Sequence, residues 1–338
     1  MAKQINSDYR NASIAVETGP RCQRGRYVPL IALASLATLA LASTPASAQR
    51  EYTDMPIVAA GKTVKISPNV YVIPDEARRG VPNVGIVVGS RATLVVDPGM
   101  GLRSGQAVLR EVEKVSKGTE LYIVNTHFHP EHTTGELAFP AYTKIIRAKV
   151  QQQDIDELGL KTIGTFAQRS KELAEVLKEA TRFRPPAEIF EREKSIDLGS
   201  VQVRLVLLGP AHTRGDTAIF VEGDAVLFSG DLAMKQAFPA FTAQSSFETW
   251  RKSLDTLADL HPTHVVGAHY GMGDLSIVSA YREFFTSLRG RVAEMKAQGK
   301  SSEETAKTLR AEFAGKYPDW DQPVRVHTAV TVAYAQIQ

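Results

Sequence analysis

Alternation of apolar and polar positions governs the first part of the chain. Val64 to Ile73 reads as a strand, and Val84 to Val88 with Thr93 to Val96 as a hairpin across Gly89-Ser90-Arg91, closed off by Asp97-Pro98-Gly99. From Gln106 to Ser116 the period changes, with Val108, Leu109, Val112 and Val115 at helical spacing. Leu121 to Val124 is a short buried strand. Residues 148–195 are polar and helix-forming, with one apolar stripe of Leu173, Val176, Leu177 and Ala180 that stops at Arg184-Pro185-Pro186. The stripe predicts a helix lying on the core; a lid over a site is the alternative. Strands resume at Val201 to Leu208, and Ala218 to Glu222 pairs with Ala225 to Ser229 across Gly223-Asp224. Ser245-x-x-Glu248 predicts a capping box opening a helix that carries Phe247, Trp250, Leu254 and Leu257. His264 to Gly267 is another strand. Helices follow over Ile277 to Ala297 and Ser302 to Ala314, the second capped by Ser301-x-x-Glu304. The mixture predicts a layered α/β (α+β) domain, with no repeat or linker after residue 50.

Composition adds a core and a compartment. With 43% hydrophobic and 23% charged residues in 338, a full-sized core is expected. Lys3, Arg10, Arg21, Arg24 and Arg26 precede residue 49, against Asp8 and Glu17; without this segment the 40 basic and 37 acidic residues fall to 35 of each. The folded part is therefore neutral, which speaks against a nucleic-acid partner. Val28 to Ala42 is an apolar run of 15 residues, followed by Ala46-Ser47-Ala48. A membrane span takes about 20 residues. The order basic, apolar, A-x-A thus predicts a cleaved secretory signal over 1–48 and no lasting membrane anchor. The mature chain, 49–338, is expected in the periplasm. Cys22 is the single cysteine and lies before the apolar run, so the mature chain has neither disulfide nor thiolate ligand.

The chemistry concentrates in His127-Phe128-His129-Pro130-Glu131-His132. The cluster follows a buried strand, so it occupies a loop at a strand's end. In a turning backbone His127 and His129 can converge on one ion, whereas in a helix positions two apart point away from each other. Glu131 and His132 can face a second ion, and zinc accepts both imidazole and carboxylate. Three further residues sit just past strands and beside glycine: His212 in Gly209-Pro210-Ala211-His212, Asp231 in Ser229-Gly230-Asp231-Leu232, and His269 in Gly267-Ala268-His269.

This pattern resembles the metallo-β-lactamase fold superfamily, whose fingerprint is H-x-H-x-D-H followed by a histidine, an aspartate and a last histidine. The likeness spans about 64–271, with a helical insertion at about 148–195 and C-terminal helices over 276–338. It implies a four-layer αββα sandwich. It implies a first ion on His127, His129 and His212, a second on Glu131, His132 and His269, and Asp231 bridging both. Asp97, in Val95-Val96-Asp97-Pro98-Gly99, would support the ligands from behind, and Asn83-x-Gly85 resembles the family's opening strands. The implied activity is zinc-dependent hydrolysis, with two Zn²⁺ per chain activating water toward an ester, thioester, lactone or amide bond of a small-molecule substrate. Asp231 and Glu131 would orient that water. Glu131 departs from the usual Asp, its carboxylate reaching about 1.5 Å further. Asp231 in Ser-Gly-Asp-Leu is closer to the glyoxalase II-like branch than to the true lactamases. A β-lactam-hydrolysing enzyme, an iron-dependent sulfur-oxidising enzyme and a non-catalytic periplasmic partner protein of the same fold are the alternatives. Lys235 is read as a surface lysine, with a substrate-carboxylate contact as its alternative.

Overall fold

Strands that read as almost unbroken apolar runs are those buried on both faces. In the computed structural model, which describes residues 55–337, such strands form the centres of two sheets. The first is ordered β1 (Val64–Lys65), β2 (Val70–Ile73), β3 (Val84–Val88), β4 (Ala92–Val96), β5 (Glu120–Val124), β6 (Lys144–Ala148) and β7 (Glu188–Phe190). It is antiparallel through β4 and parallel from β4 to β7. The second contains β8 (Glu193–Asp197), β9 (Gln202–Leu207), β10 (Thr217–Val221), β11 (Val226–Gly230) and β12 (His264–Gly267). Its order is β12-β11-β10-β9-β8, with only β11 and β12 parallel.

Side-chain alternation along each strand defines three apolar layers. Val70, Val72, Leu94 and Val124 meet Val203, Leu205, Ile219 and Val266 between the sheets. The outer face of the first sheet, with Ile86, Val95 and Ile123, packs on Val108 and Val112 of α1 (Gly101–Val115). The outer face of the second, with Ala218, Phe220 and Val265, is covered by α6 (Phe247–Asp259), α7 (Ser276–Ala297), α8 (Ser302–Lys316) and α9 (Arg325–Gln336). This is the expected αββα sandwich. Between α1 and α6 lie α2 (Pro130–Thr133), α3 (Lys149–Asp154), α4 (Leu160–Ala167) and α5 (Lys171–Leu177), with a π-helical turn, Ile155–Gly159, joining α3 to α4. The described residues fall within one compact unit. The expected leader lies outside them, and among them no helix is long and apolar enough to cross a membrane.

Several expected elements change. Val64 to Ile73 is two strands, because Ser67-Pro68-Asn69 turns the chain, with Val70 N–H donating to Ser67 O at 3.4 Å; proline has no N–H for a ladder. The helical stretch within 148–195 ends at Leu177, and the segment closes with β7 and β8, one in each sheet. Its apolar stripe does lie on the core: Leu173, Val176, Leu177 and Ala180 pack with Met100 and Phe166. The cap of α6 is Ser246, whose side chain accepts from Thr249 N–H, rather than Ser245. Ser245 Oγ is engaged elsewhere, accepting from Thr242 N–H at 2.8 Å and donating to His212 O at 3.1 Å. The Ser301–Glu304 capping box forms as expected.

Parallel pairing fixes where the functional loops emerge. Val96 of β4 lies beside Val124 of β5, so Asp97 and the His127 loop leave the first sheet together. Gly230 of β11 lies beside Gly267 of β12, so Asp231 and His269 leave the second sheet together. Open α/β sheets carry their sites at such C-terminal strand ends.

Candidate metal centre

His129 is extended (φ −62°, ψ 150°) and precedes α2, so His127 and His129 lie on a loop and Glu131 and His132 in the following short turn. His127 Nε2 approaches His129 Nδ1 to 3.0 Å, and His212 Nε2 approaches the same atom to 3.2 Å. These separations are close to the edge of a tetrahedral zinc site, about 3.3 Å for bonds of about 2.0 Å. Each ring is aimed by its other nitrogen or by its neighbours. His127 Nδ1 is 3.2 Å from Thr126 Oγ1, which itself donates to Asp97 Oδ2. His212 Nδ1 donates to Ala240 O at 2.5 Å, and His269 Nδ1 to Val81 O at 2.9 Å. Tying down one nitrogen fixes the tautomer and leaves the other as a lone pair facing the site.

A second group is formed by Glu131, His132 and His269. Asp231 stands between the two groups, with Oδ2 3.5 Å from His212 Nε2 and Oδ1 3.9 Å from His269 Nε2. Gly230 enables this placement. It has φ +58°, and a Cβ there would meet Thr126 Cβ at 2.7 Å. Glycine alone combines that conformation with that approach.

The donors fit a bound cation. His132 Nε2, Glu131 Oε2 and Asp231 Oδ1 are buried without a hydrogen-bond partner, an expensive state unless something positive occupies the space between them. A single proton on His129 Nδ1 cannot fully satisfy both facing Nε2 atoms. Burial, with repulsion from adjacent imidazoles, pushes His127 and His129 well below the ordinary histidine range, into the neutral form that ligates. At His132 burial acts downward, but Asp97, Glu131 and Asp231 outweigh it and raise the ring to about 9. At Asp231 burial acts upward, but His212, His269 and His132 outweigh it and hold the carboxyl below its usual range. Both shifts come from neighbours of opposite charge.

The sequence marks Asn83 only by its likeness to the family's opening strands and does not single out Asp75 or Asp216, yet these residues hold the loops. Asn83 Nδ2 donates to Gly267 O at 2.9 Å and Tyr270 O at 2.8 Å, while Asp75 accepts from Tyr270 N–H at 2.8 Å. Together they clamp the His269 loop, where Tyr270 has φ +69°. Asp216 accepts from Thr213 N–H and Oγ1 at 2.8 and 2.7 Å, steadying the turn after His212; burial pushes its carboxyl up to about 6. The Asp-x-x-Thr spacing in reverse, Thr213 to Asp216, was the available signal. Lys235 lies outside the cavity at the metal residues, with Nζ 3.4 Å from Met272 O. Phe166 of α4 reaches the site, its ring centroid 5.8 Å from that of His129.

Facing sheets with imidazole and carboxylate clusters at one edge define an αββα protein with a candidate metal centre. Residues 77–269 match the model of the metallo-beta-lactamase superfamily, and the chain belongs to that superfamily as a hydrolase. It is 27% identical over 235 residues to the hydroxyacylglutathione hydrolase of Methylococcus capsulatus, covering 68% of this chain and 78% of that one. Among solved structures it resembles a metallo-beta-lactamase from Pontibacter korlensis, with TM-score 0.52, 18% identity and coverage of 66% of this chain and 98% of that one. It also resembles the stereoselective inverting sec-alkylsulfatase Pisa1 from Pseudomonas sp., with TM-score 0.60, 13% identity and coverage of 81% of this chain but 50% of that one.

Proposed function

We propose that the chain is an exported zinc hydrolase, with two ions per molecule, that cleaves an ester, thioester, lactone or amide bond in a small-molecule substrate. The observation that carries this reading is the convergence of His127 and His212 Nε2 on His129 Nδ1, beside a second buried group whose polar atoms lack partners. His127, His129 and His212 would hold the first ion, and Glu131, His132 and His269 the second. Asp231 would serve both, since its two oxygens face the two groups. Zinc in such a setting acts as a Lewis acid and, by lowering the pKa of water, supplies a nucleophile at neutral pH.

The chain's own residues prepare that chemistry. Asp97 accepts a hydrogen bond from His132 Nδ1–H and keeps Nε2 turned inward. Thr126 and the carbonyls of Val81 and Ala240 do the same for the other rings. Asp231 and Glu131 offer carboxylate oxygens that can accept a hydrogen bond from a water and orient it. The mature chain carries no thiol, so no cysteine nucleophile competes with this route. The glyoxalase II-like branch is favoured by Asp231 in Ser-Gly-Asp-Leu and by the likeness to a hydroxyacylglutathione hydrolase.

Metal content per chain, measured with turnover of lactone, thioester, β-lactam and phosphoester substrates, tests the reading. Two zinc ions and turnover of the thioester or lactone are expected. Bound iron with no hydrolysis of any of the four would overturn it.

A further inference from the structure

Of His127, His129 and His212, only His212 comes from the second sheet. It lies on the turn between β9 and β10, whereas His127 and His129 follow β5 of the first sheet. An ion shared by the three needs the two loops at a fixed separation, since metal–ligand distances are held to within about 0.2 Å. Thr217 N–H donates to Thr126 O at 2.7 Å and joins the bases of these loops. The tip that carries His212 needs a hold of its own.

Asp154 supplies it. This residue ends α3, which follows β6 directly, so the first sheet carries it. Its side chain is fully buried, and its Oδ1 accepts from Arg214 Nε at 2.6 Å and from Gln244 Nε2 at 3.0 Å, with Arg214 Nη2 also at 2.6 Å. Arg214 stands two residues after His212. Gln244 reaches His212 by a second path: its N–H donates to Thr242 Oγ1 at 3.1 Å, and Thr242 Oγ1 donates to His212 O at 2.8 Å. The same loop offers Ala240 O to His212 Nδ1. One carboxylate oxygen thus grips both the turn that bears the histidine and the loop that aims its ring. The fit beneath is close: a Cβ at Gly215 would meet Gln151 Cα of α3 at 2.6 Å.

A buried ion pair is a weak device for stability, because desolvation offsets the attraction and apolar residues of like volume often serve as well. What the planar guanidinium does provide is a fixed direction toward its partner. Glu157, on the π-helical turn after α3, also accepts from Arg214 at 2.6 Å, but its side chain is 57% exposed, where an ion pair contributes little. Asp154 is therefore the partner that matters.

We propose that Asp154 is a positioning residue for His212: through Arg214 and Gln244 it sets where the His212 ring stands relative to His127 and His129, and so sets the affinity for the first ion. The start of segment 148–195 then serves the site as a strut between the two sheets. The effect on the ion rests on the assignment of His212 as a ligand; the coupling of Asp154 to the ring does not.

The test is a stepwise zinc titration of the protein against a competing chelator, comparing wild type with Asp154→Asn, Arg214→Gln, their double variant and Glu157→Gln. His212→Ala marks the binding step that belongs to the first ion. Asp154→Asn is expected to weaken that step by roughly tenfold, the lower end of the loss seen when an outer partner of a ligand is removed, and to leave the other step unchanged. Arg214→Gln, at a partly exposed position, should act in the same direction and replaces Asp154→Asn should that variant fail to fold. The double variant should lose no more than Asp154→Asn alone, because the two residues act as one unit. Glu157→Gln should bind as wild type does. In the metal-free protein, ¹⁵N NMR of the histidine rings should show the His212 signals moving in Asp154→Asn and Arg214→Gln but not in Glu157→Gln. A residue that only stabilised the fold would lower the melting temperature without moving them. Unmoved ring signals, with both zinc affinities unchanged or weakened equally, overturn the positioning role; if His212→Ala still loses an ion, the metal reading stands without it. If His212→Ala keeps both ions while the Asp154 and Arg214 variants move the ring signals, the coupling stands and the metal assignment falls.

Discussion

Asp97 Oδ2 lies 3.0 Å from His132 Nδ1, and the same carboxylate accepts from Thr126 N–H and Thr126 Oγ1, each at 2.8 Å. One buried side chain at the end of β4 thus orients His132 of the second candidate group directly and, through Thr126, His127 of the first. Asp97 holds φ +56°, which fits the sharp departure from the strand.

Replacing Asp97 with Asn keeps the volume but removes the acceptor that selects the His132 tautomer. Metal affinity should fall by roughly 10- to 100-fold, the usual cost of losing such a supporting partner. Zinc titration against a competing chelator measures it; unchanged affinity would show that the contact is only structural.

His127→Ala with His129→Ala removes two of the three nitrogens that converge on one point. The double variant should lose the first ion and all hydrolysis while retaining its circular dichroism spectrum. Full metal retention would contradict the ligand assignment.

Glu131→Asp shortens a buried carboxylate without changing its charge. The extra rotatable bond of Glu costs up to about 1 kcal/mol to fix. Second-site affinity should therefore change by roughly tenfold or less, about 1.4 kcal/mol per decade. Zinc titration of both proteins checks this. A wild type that holds one ion beside an Asp variant that holds two would show that Glu131 disables the second site.

Glu111, on α1, is a pH-sensitive clasp for the segment before β1. It accepts from Gly61 N–H at 2.8 Å, Thr63 Oγ1 at 2.7 Å and Lys114 Nζ at 2.6 Å. Burial acts upward on its carboxyl, but Lys114, Thr63 and Gly61 together bring it below its ordinary 4.5. A depressed carboxyl stabilises the fold above the unfolded value, and that contribution is lost as pH falls through the folded value. Glu111→Gln should cost about 1–3 kcal/mol at pH 7. In urea titrations, the gap between wild type and variant should narrow below pH 4.5, and a gap that widens there would refute the clasp.

Export predicts a native N-terminus near Gln49. Mass spectrometry of protein from a periplasmic extract should find it; an intact Met1 in the cytoplasm would contradict it.

Much of this architecture was legible because it is local. The β3–β4 and β10–β11 hairpins announce themselves through short turns between apolar runs. His127, His212, Asp231 and His269 stand out because each follows such a run. What stayed hidden depends on long-range partners. β8, Glu-Lys-Ser-Ile-Asp, buries one side chain fully, Ile196, and takes its strand form from pairing with β9. The Ser245 cap failed because its hydroxyl is claimed by Thr242 and by the carbonyl of His212. The arginines of the cavity at the metal residues come from three places, Arg78-Arg79, Arg169 and Arg325, separated by about 90 positions or more, and none carries a local sign of the others. Asn83 is similar: its partners, Gly267 and Tyr270, lie more than 180 residues away.

The arginines that line the cavity, Arg78, Arg79, Arg169 and Arg325, and the candidate metal residues draw on different parts of the chain. Of the candidate metal residues, His127, Asp231 and His269 follow the ends of β5, β11 and β12 within three positions. The arginines sit on the β2–β3 connection, the α4–α5 turn and the start of α9, all outside the paired strands. Descendants of such a chain can therefore lengthen, shorten or recharge these three peripheral pieces one at a time. What the molecule accepts would drift with its loops and its tail, while the machinery that breaks the bond is inherited intact.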